Sequence, residues 1–202
     1  MKTLSAIAAV LLGSATVAGA ATITVTELNL GTDGGVGYPQ NTNPTLAEAT
    51  AAISTVGDGS FVALGTGGSL TFSLDMAVTD GSGNDISFFD GYGFSEGLTV
   101  EASSNGVDFV SLGSDPGNPF GFCSTSSPCE SGFDLSGSGL TDASFFRVSA
   151  SGLIVVGFPE AYDFDGIEIL NMAPIPLPAS LPLLAIGLGG LAIVRRRTSS
   201  QG

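Results

Sequence analysis

Short β-type runs separated by turn signals constrain this chain more than any other feature. The run TITVTELNL (Thr22–Leu30) alternates apolar and polar residues, and two further runs flank Gly67-Gly68 in GSFVALGTGGSLTFSLDMAV. Evenly spaced short strands with Gly, Asn and Asp between them are typical of a β-sandwich or barrel. No repeat of about 20–50 residues is visible, which argues against a solenoid or a propeller.

Four later runs extend this pattern: Asn84–Asp90, Leu98–Gly113, Ser144–Gly152 and Tyr162–Leu170. Within the second of them, Asn105-Gly106 predicts a hairpin with a type I′ turn. The segment NPTLAEATAAI is the exception, because Asn43 is a suitable N-cap and Pro44 a suitable first helical residue. We expect a short helix there, lying as a lid over one end of the sandwich.

The charges are distributed unevenly along the 202 residues. All 19 acidic residues lie between Glu27 and Glu168, whereas four of the five basic residues, Lys2 and Arg195–Arg197, lie at the two ends. Arg147 is the remaining cation. We therefore expect the central domain to be repelled by nucleic acid and by anionic lipid, and to attract cations. Solvation of an exposed, secreted surface is the simpler explanation of the acidity.

The N-terminus has the three parts of a secretory signal peptide. Lys2 is a positive start, Ala6–Leu12 an apolar stretch, and Ala18-Gly19-Ala20 a small-residue cleavage pattern. Cleavage between Ala20 and Ala21 is expected, with a buried N-terminal helix as the alternative.

The C-terminus contains an uncharged segment from Asn171 to Val194 that is followed by the arginines. If helical, it is long enough to cross a hydrocarbon core of about 30 Å. Prolines delay the start of that helix and glycines make it thin. The residues that define the predicted transmembrane helix are Leu181, Gly187, Gly189, Gly190 and Val194, and Arg195, Arg196 and Arg197 would stop transfer on the cytoplasmic side.

IPLPASLPLLAIGLGGLAIVRRR (Ile175–Arg197) resembles the VPLPA-type variant of the PEP-CTERM sorting signal. The motif itself comprises Ile175, Pro176, Leu177, Pro178 and Ala179, with Ile175 where the commonest form has Val. The resemblance implies an exosortase-like membrane peptidase that cuts near Pro178–Ala179. It also implies a transient anchor in the inner membrane, followed by transfer to the cell surface or the extracellular matrix. A plain single-span anchor is the alternative.

The region between Asp58 and Leu170 resembles the galactose-binding-domain-like jelly rolls of bacterial surface proteins. GDGSFVALGTGGSLTFSLD, DGSGNDISFFD and VEASSNGVDFVSLG carry the likeness. It implies glycan binding and a structural Ca²⁺ ion. We therefore expect an all-β, antiparallel jelly-roll β-sandwich with one short N-terminal helix over residues 21–173. A signal helix (1–20) and a sorting segment with a single transmembrane helix (174–202) would flank it.

Cys123 and Cys129 enclose a short loop, and in an exported protein two nearby cysteines predict a disulfide. A zinc site is disfavoured because the chain has no His and no second cysteine pair. The missing His also excludes Ser-His-Asp and Cys-His catalysis, and the expected loss of Lys2 excludes Schiff-base chemistry. A two-carboxylate glycosidase is the one enzyme class left open, and we expect no enzyme activity.

Two acidic stretches are candidate calcium sites, because Ca²⁺ prefers carboxylate and carbonyl oxygens in loops. DGSGND supplies Asp80, Asn84 and Asp85, although a simple polar turn explains it equally well. YDFDGIE places Asp163 and Asp165 on one face of a strand, and Glu168 joins them only if the strand bends near Gly166. The jelly-roll resemblance favours Asp165, with Glu27 on the first strand as its neighbour.

Tyr92 and Arg147 are the candidate ligand-binding residues. Glycan sites use aromatic platforms beside polar groups, and Tyr92 in the loop FFDGYGFSEG is the best placed aromatic residue. Arg147 either pairs with carboxylates on neighbouring strands or donates a bidentate fork to a ligand.

Together these features predict a non-enzymatic, exported surface or matrix protein that associates with exopolysaccharide. Its other expected partner is the exosortase-like peptidase, and we expect no contact with nucleic acid. The alternative is a structural or adhesive Ca²⁺-binding surface protein with a protein partner.

Overall fold

The structure is a computed structural model, and it describes residues 21–36, 41–124, 126–151 and 160–173. The signal peptide with Ala20, the sorting motif, the transmembrane segment and the basic cluster lie outside these residues, so those assignments stay predictions. Within the described ranges, no helix is long and apolar enough to cross a membrane.

The described residues form twelve strands and one helix. In chain order they are β1 (Ile23–Asn29), β2 (Gly35–Val36), α1 (Leu46–Ala52), β3 (Val62–Gly65), β4 (Ser69–Thr79), β5 (Ile86–Asp90), β6 (Gly93–Ser95), β7 (Leu98–Ser103), β8 (Val110–Asp115), β9 (Asn118–Cys123), β10 (Cys129–Phe133), β11 (Asp142–Ala150) and β12 (Glu160–Ile169).

Ten strands form two five-stranded antiparallel sheets. The first has the order β1-β4-β11-β7-β8 and the second β10-β5-β12-β3-β2, while β6 and β9 form a small third sheet. The strands β3 and β4 follow one another around Gly67-Gly68 but belong to different large sheets, so the chain crosses the sandwich there. The predicted β-sandwich with one short helix is confirmed.

Phenylalanines from both sheets fill the centre of the sandwich. Phe72 and Phe146 from the first sheet meet Phe88 and Phe164 from the second, and all four are fully buried. Neighbouring ring centroids lie 5.6 to 6.3 Å apart, the range of favourable aromatic contacts. Burying each side chain stabilises the fold by about 1.5–3 kcal/mol before ordering entropy is counted. The two-residue period of the strands places these rings on their buried faces.

The helix α1 begins two residues later than predicted. Thr45 is the N-cap, since its hydroxyl accepts a hydrogen bond from Glu48 N and the Glu48 carboxylate accepts one from Thr45 N. This reciprocal pair is a capping box, which requires an acidic or amide side chain three residues after the cap. Asn43 has Leu46 at that position, so the prediction of Asn43 as N-cap is wrong.

The helix also covers a different part of the sandwich from the one expected. It contacts β1 and β2, the edge strands on one side of the two large sheets, and it buries Ala49 and Ala52. Thr50 Oγ1 accepts a hydrogen bond from Val25 N of β1 at 2.9 Å. The helix therefore closes a side of the sandwich and is not a lid over one end.

The hairpin of β7 and β8 is confirmed, but its turn is not of type I′. The strands end at Ser103 and resume at Val110, which leaves a loop longer than two residues. The Ser103 hydroxyl accepts hydrogen bonds from Asn105 N and Gly106 N, and Asn105 Oδ1 accepts one from Val107 N. Side-chain acceptors thus stabilise a wider loop than the Asn-Gly pair by itself predicts.

Candidate functional site

Tyr92 forms an exposed aromatic platform just after β5 ends. Its side chain is 54% exposed, whereas Phe61, directly before β3, is 5% exposed. The two rings are parallel within 2°, with their centroids 6.3 Å apart. Phe61 therefore supports one face of Tyr92 from below, while much of the tyrosine remains open to solvent.

Two glycines make this position of Tyr92 possible. Gly91 N donates a hydrogen bond to Asp163 O at 2.8 Å, and a Cβ atom on Gly91 would lie only 2.9 Å from the Cβ atom of Asp165. Gly93 has φ +91°, a backbone conformation that side chains other than glycine rarely adopt. The tyrosine thus projects from a tight segment that is bonded to β12.

The small sheet and the disulfide extend this end of the molecule. Strand β6 follows Tyr92 directly and pairs with β9, on which Phe122 is 70% exposed. Cys123 at the end of β9 is bonded to Cys129 at the start of β10, as predicted. The disulfide therefore joins the small sheet to the second large sheet. We call Phe61, Tyr92 and Phe122 the aromatic rim.

A buried polar cluster lies at the base of the aromatic rim. Asp90 is 2% exposed, and its Oδ2 atom accepts a hydrogen bond from Glu96 N at 2.9 Å. Within the described part of the chain, its Oδ1 atom and the hydroxyl of the fully buried Tyr162 have no hydrogen-bond partner. Burial, assisted by the charge of Asp165, raises the pKa of Asp90 to about 7. Burial and the charge of Asp90 also raise the pKa of Tyr162.

Strand β12 is irregular at Asp165. A bend near this point is what Glu168 would need in order to join Asp163 and Asp165. The pairing with β5 shifts between Phe164 and Gly166. Asp165 is 1% exposed and its Oδ2 atom accepts a hydrogen bond from Gly57 N at 2.7 Å. Burial raises the pKa of this carboxyl. Asp163 is buried as well.

Arg147 lies among carboxylates on the outer face of the first sheet. Its guanidinium is 3.3 Å from a Glu101 oxygen and 3.8 Å from a Glu27 oxygen, and it lies 4.1 Å from the ring centroid of Phe109. Cross-strand pairing, the simpler of the two sequence interpretations, describes this arrangement. Glu27 is on a different sheet from Asp165, so the expectation that they are neighbours is wrong.

The turn between β4 and β5 brings acidic residues together at another point of the fold. Among the described residues, one group of three carboxylates converges, with one oxygen of each within 4.8 Å of the others: Asp80, Asp85 and Asp134. The Asn84 side chain lies against Gly132, and the Asn84 carbonyl accepts a hydrogen bond from Asn171. The group thus includes Asp80 and Asp85, two of the predicted calcium ligands, and calcium binding stays a prediction.

Asp85 already has hydrogen-bond donors on both carboxylate oxygens. Oδ1 accepts from Gly81 N and Asn171 Nδ2, and Oδ2 accepts from Leu135 N, each at 2.8 Å. A fully buried carboxylate with three donors is a structural joint between two loops and the segment after β12. A Ca²⁺ ion at this point would depend mainly on Asp80 and Asp134.

Sequence reasoning missed three residues of these sites. The sequence suggests no more than a core position for Phe61, because its contact with Tyr92, which follows β5, exists only in the folded chain. Asp134 lies far along the chain from Asp80 and Asp85, so proximity in sequence gives no signal. Asp90 had a signal, since it shares a strand face with Ile86 and Phe88, and an acid on a core-facing position is unusual.

No protein-family model matches the chain, and no curated protein matches it. Solved structures of similar shape include CpGH89CBM32-6 produced by Clostridium perfringens, with 13% identity over 70% of this chain and 96% of that chain, at a TM-score of 0.42. Another is the C-terminal domain of a chitobiase from Bacteroides fragilis, with 12% identity over 54% of this chain and 65% of that chain, at a TM-score of 0.36. Neither likeness is close enough to bear on function.

Proposed function

We propose that this is an exported, non-enzymatic surface or matrix protein whose aromatic rim binds glycan. The observation that carries the proposal is Tyr92, a 54% exposed ring held parallel to a buried phenylalanine. Sugar rings pack their C–H faces on aromatic rings, and a prepositioned ring loses little conformational entropy on binding. Phe122, which is 70% exposed on β9, is a further exposed ring next to the strand that follows Tyr92.

The chemistry of this end of the molecule supports binding in preference to hydrolysis. The chain contains no His. The carboxylates next to Tyr92, Asp90 and Asp165, are 2% and 1% exposed, so a sugar bound on the rim does not reach them directly. A glycosidase needs two carboxyl groups in contact with the scissile bond.

Binding to glycans of known structure tests the proposal. The purified protein is applied to an array of neutral hexose and N-acetylhexosamine oligosaccharides, with and without Ca²⁺. We expect retention of a subset of neutral glycans, loss of that retention in Tyr92→Ala, and no release of reducing ends. Unchanged retention of the same glycans by Tyr92→Ala would overturn the assignment of the rim.

The proposal for sorting rests on the resemblance of Ile175–Arg197 to an exosortase substrate. An exosortase-like peptidase would cut near Pro178–Ala179 and release the domain from the inner membrane to the surface. Mass spectrometry of the mature protein is the test, and we expect a C-terminus near Pro178. A mature chain that still contains Arg195–Gly202 would contradict it.

The convergence of Asp80, Asp85 and Asp134 favours a second candidate, a structural or adhesive protein that binds Ca²⁺. A bound Ca²⁺ ion would hold the β4–β5 turn against the loop after β10. A thermal melt with Ca²⁺ and with EDTA is decisive, because an ion bound only to the folded state raises the midpoint. Equal midpoints in the two buffers would reject a structural ion.

A further inference from the structure

We propose that the aromatic rim prefers glycans that carry free amino groups over their N-acetylated forms, and that it rejects glycans built from uronic acids. The inference rests on the proposed function and specifies its ligand class. The basis of the inference is the charge around Tyr92, which is negative.

Asp58 is an exposed carboxylate three residues before Phe61. Its Oδ1 atom accepts a hydrogen bond from Ser60 N at 2.8 Å, which fixes it just before Phe61, the ring beneath Tyr92. The charge of Asp58 also acts on the carboxyl of Asp165, which lies against Gly91. Asp58 thus lies in the segment that leads into Phe61, the ring that supports Tyr92.

The described residues provide no positive charge to neutralise this group. Their one basic side chain, Arg147, is on the outer face of the first sheet, where it pairs with Glu27 and Glu101. Asp163 and Asp165, both on the second sheet, add further acidic groups below the rim. Such a surface attracts cations and repels anions over roughly a Debye length, about 10 Å in 0.1 M salt.

A protonated sugar amine gains two interactions here that an acetamido group does not. It forms a charge-assisted hydrogen bond with the exposed Asp58 carboxylate, and it is attracted to the negative face of the tyrosine ring. The carboxylate of a uronate meets only negative charge. We expect an amino-sugar oligomer to bind about threefold to fivefold more tightly than its N-acetylated counterpart, the range of an exposed charge pair.

The test compares three oligosaccharides of equal length at a pH where sugar amines are protonated: N-acetylglucosamine, its fully de-N-acetylated form, and a uronate. Dissociation constants are measured for the wild type, Tyr92→Ala, Asp58→Asn, and Asp108→Asn, which removes an equal exposed charge on the β7–β8 loop. We expect Asp58→Asn to abolish the preference for the amino form without weakening the N-acetylated ligand, and Asp108→Asn to keep the preference.

The outcomes separate the two proposals. Equal affinity of the wild type for amino and N-acetylated oligomers would overturn the charge preference, while the glycan proposal stands if Tyr92→Ala still loses both. A preference that survives Asp58→Asn would overturn the assignment to Asp58. An equal fall in Asp58→Asn and Asp108→Asn would reduce the preference to net charge and so also overturn it. If Tyr92→Ala binds all ligands as the wild type does, the proposed function itself fails.

Discussion

The side-chain amide of Asn171 donates a hydrogen bond of 2.8 Å to the carboxylate of Asp85, although the residues are 86 positions apart. Asn171 lies just after β12, where the chain leaves the sandwich. Its carbonyl accepts a hydrogen bond from Thr79 N, and Leu170 N donates one to Asp85 O. The exit of the chain is thus bonded to both large sheets, through β4 of the first and the residue preceding β5 of the second.

Removing the Asp85 carboxylate should therefore destabilise the whole domain. Asp85→Ala leaves the buried Leu135 N–H without its acceptor and removes two part-buried hydrogen bonds, from Gly81 N and the Asn171 amide. We expect a loss of about 3–5 kcal/mol in the free energy of unfolding, since an unsatisfied buried group costs about 1–3 kcal/mol and each further hydrogen bond contributes about 0.5–1.5 kcal/mol. Urea denaturation measures it. The control is Asp80→Ala, which changes an exposed residue near Asp85 and should alter the free energy of unfolding by no more than about 0.5 kcal/mol. Similar losses in both variants would refute the special role of Asp85.

Tyr92 should contribute to glycan binding through its ring and not through its hydroxyl. Tyr92→Ala is expected to weaken binding about fivefold to tenfold, because aromatic contacts are worth about 0.5–1.5 kcal/mol. Tyr92→Phe should bind within about twofold of the wild type by titration calorimetry. Val107→Ala removes another exposed apolar side chain, on the β7–β8 loop, and should have no effect. A large loss in Tyr92→Phe would show that the hydroxyl is the main contact.

Asp90 should make the domain less stable as the pH rises. Its pKa is about 7 in the folded protein, whereas an unfolded Asp titrates near 3.9. Between these values the folded state holds a proton that the unfolded state has released, so stability falls from about pH 4 to about pH 7 and then levels off. A shift of about three units corresponds to about 4 kcal/mol over this window.

Asp90→Asn removes this dependence, because the amide does not titrate and its oxygen still accepts from Glu96 N. The difference in unfolding free energy between the variant and the wild type should increase towards neutral pH. Parallel stability curves for the two proteins from pH 4 to pH 7 would contradict the assignment to Asp90.

The disulfide should stabilise the rim more than the sandwich. Its cysteines are six positions apart, so loop closure gives about 2–3 kcal/mol at most. We expect Cys123→Ser with Cys129→Ser to lower the melting temperature modestly and to speed amide exchange in β6 and β9. Hydrogen exchange followed by mass spectrometry resolves this, and faster exchange throughout β4 and β11 would contradict a local effect.

Local patterns accounted for much of the fold but only part of the candidate site. The alternation of residues such as Phe72 and Phe146 identifies strands and their buried faces, because side chains on a strand alternate between two faces. The capping box at Thr45 is also readable from the sequence, since Glu48 stands three residues later, whereas Asn43 has no such partner. The length of the β7–β8 loop is not readable from the sequence, because side-chain hydrogen bonds within the turn decide it.

The sequence by itself determined the β-sandwich class, the burial of the central phenylalanines, the disulfide between Cys123 and Cys129, and the predominance of negative charge. These follow from residue types and from spacing along a short stretch of chain. The tertiary structure decided the pairing of Tyr92 with Phe61, the meeting of Asp85 with Asp134 and Asn171, and the separation of Glu27 from Asp165. Each depends on which strands become neighbours, and that is set by the packing of two sheets over one core.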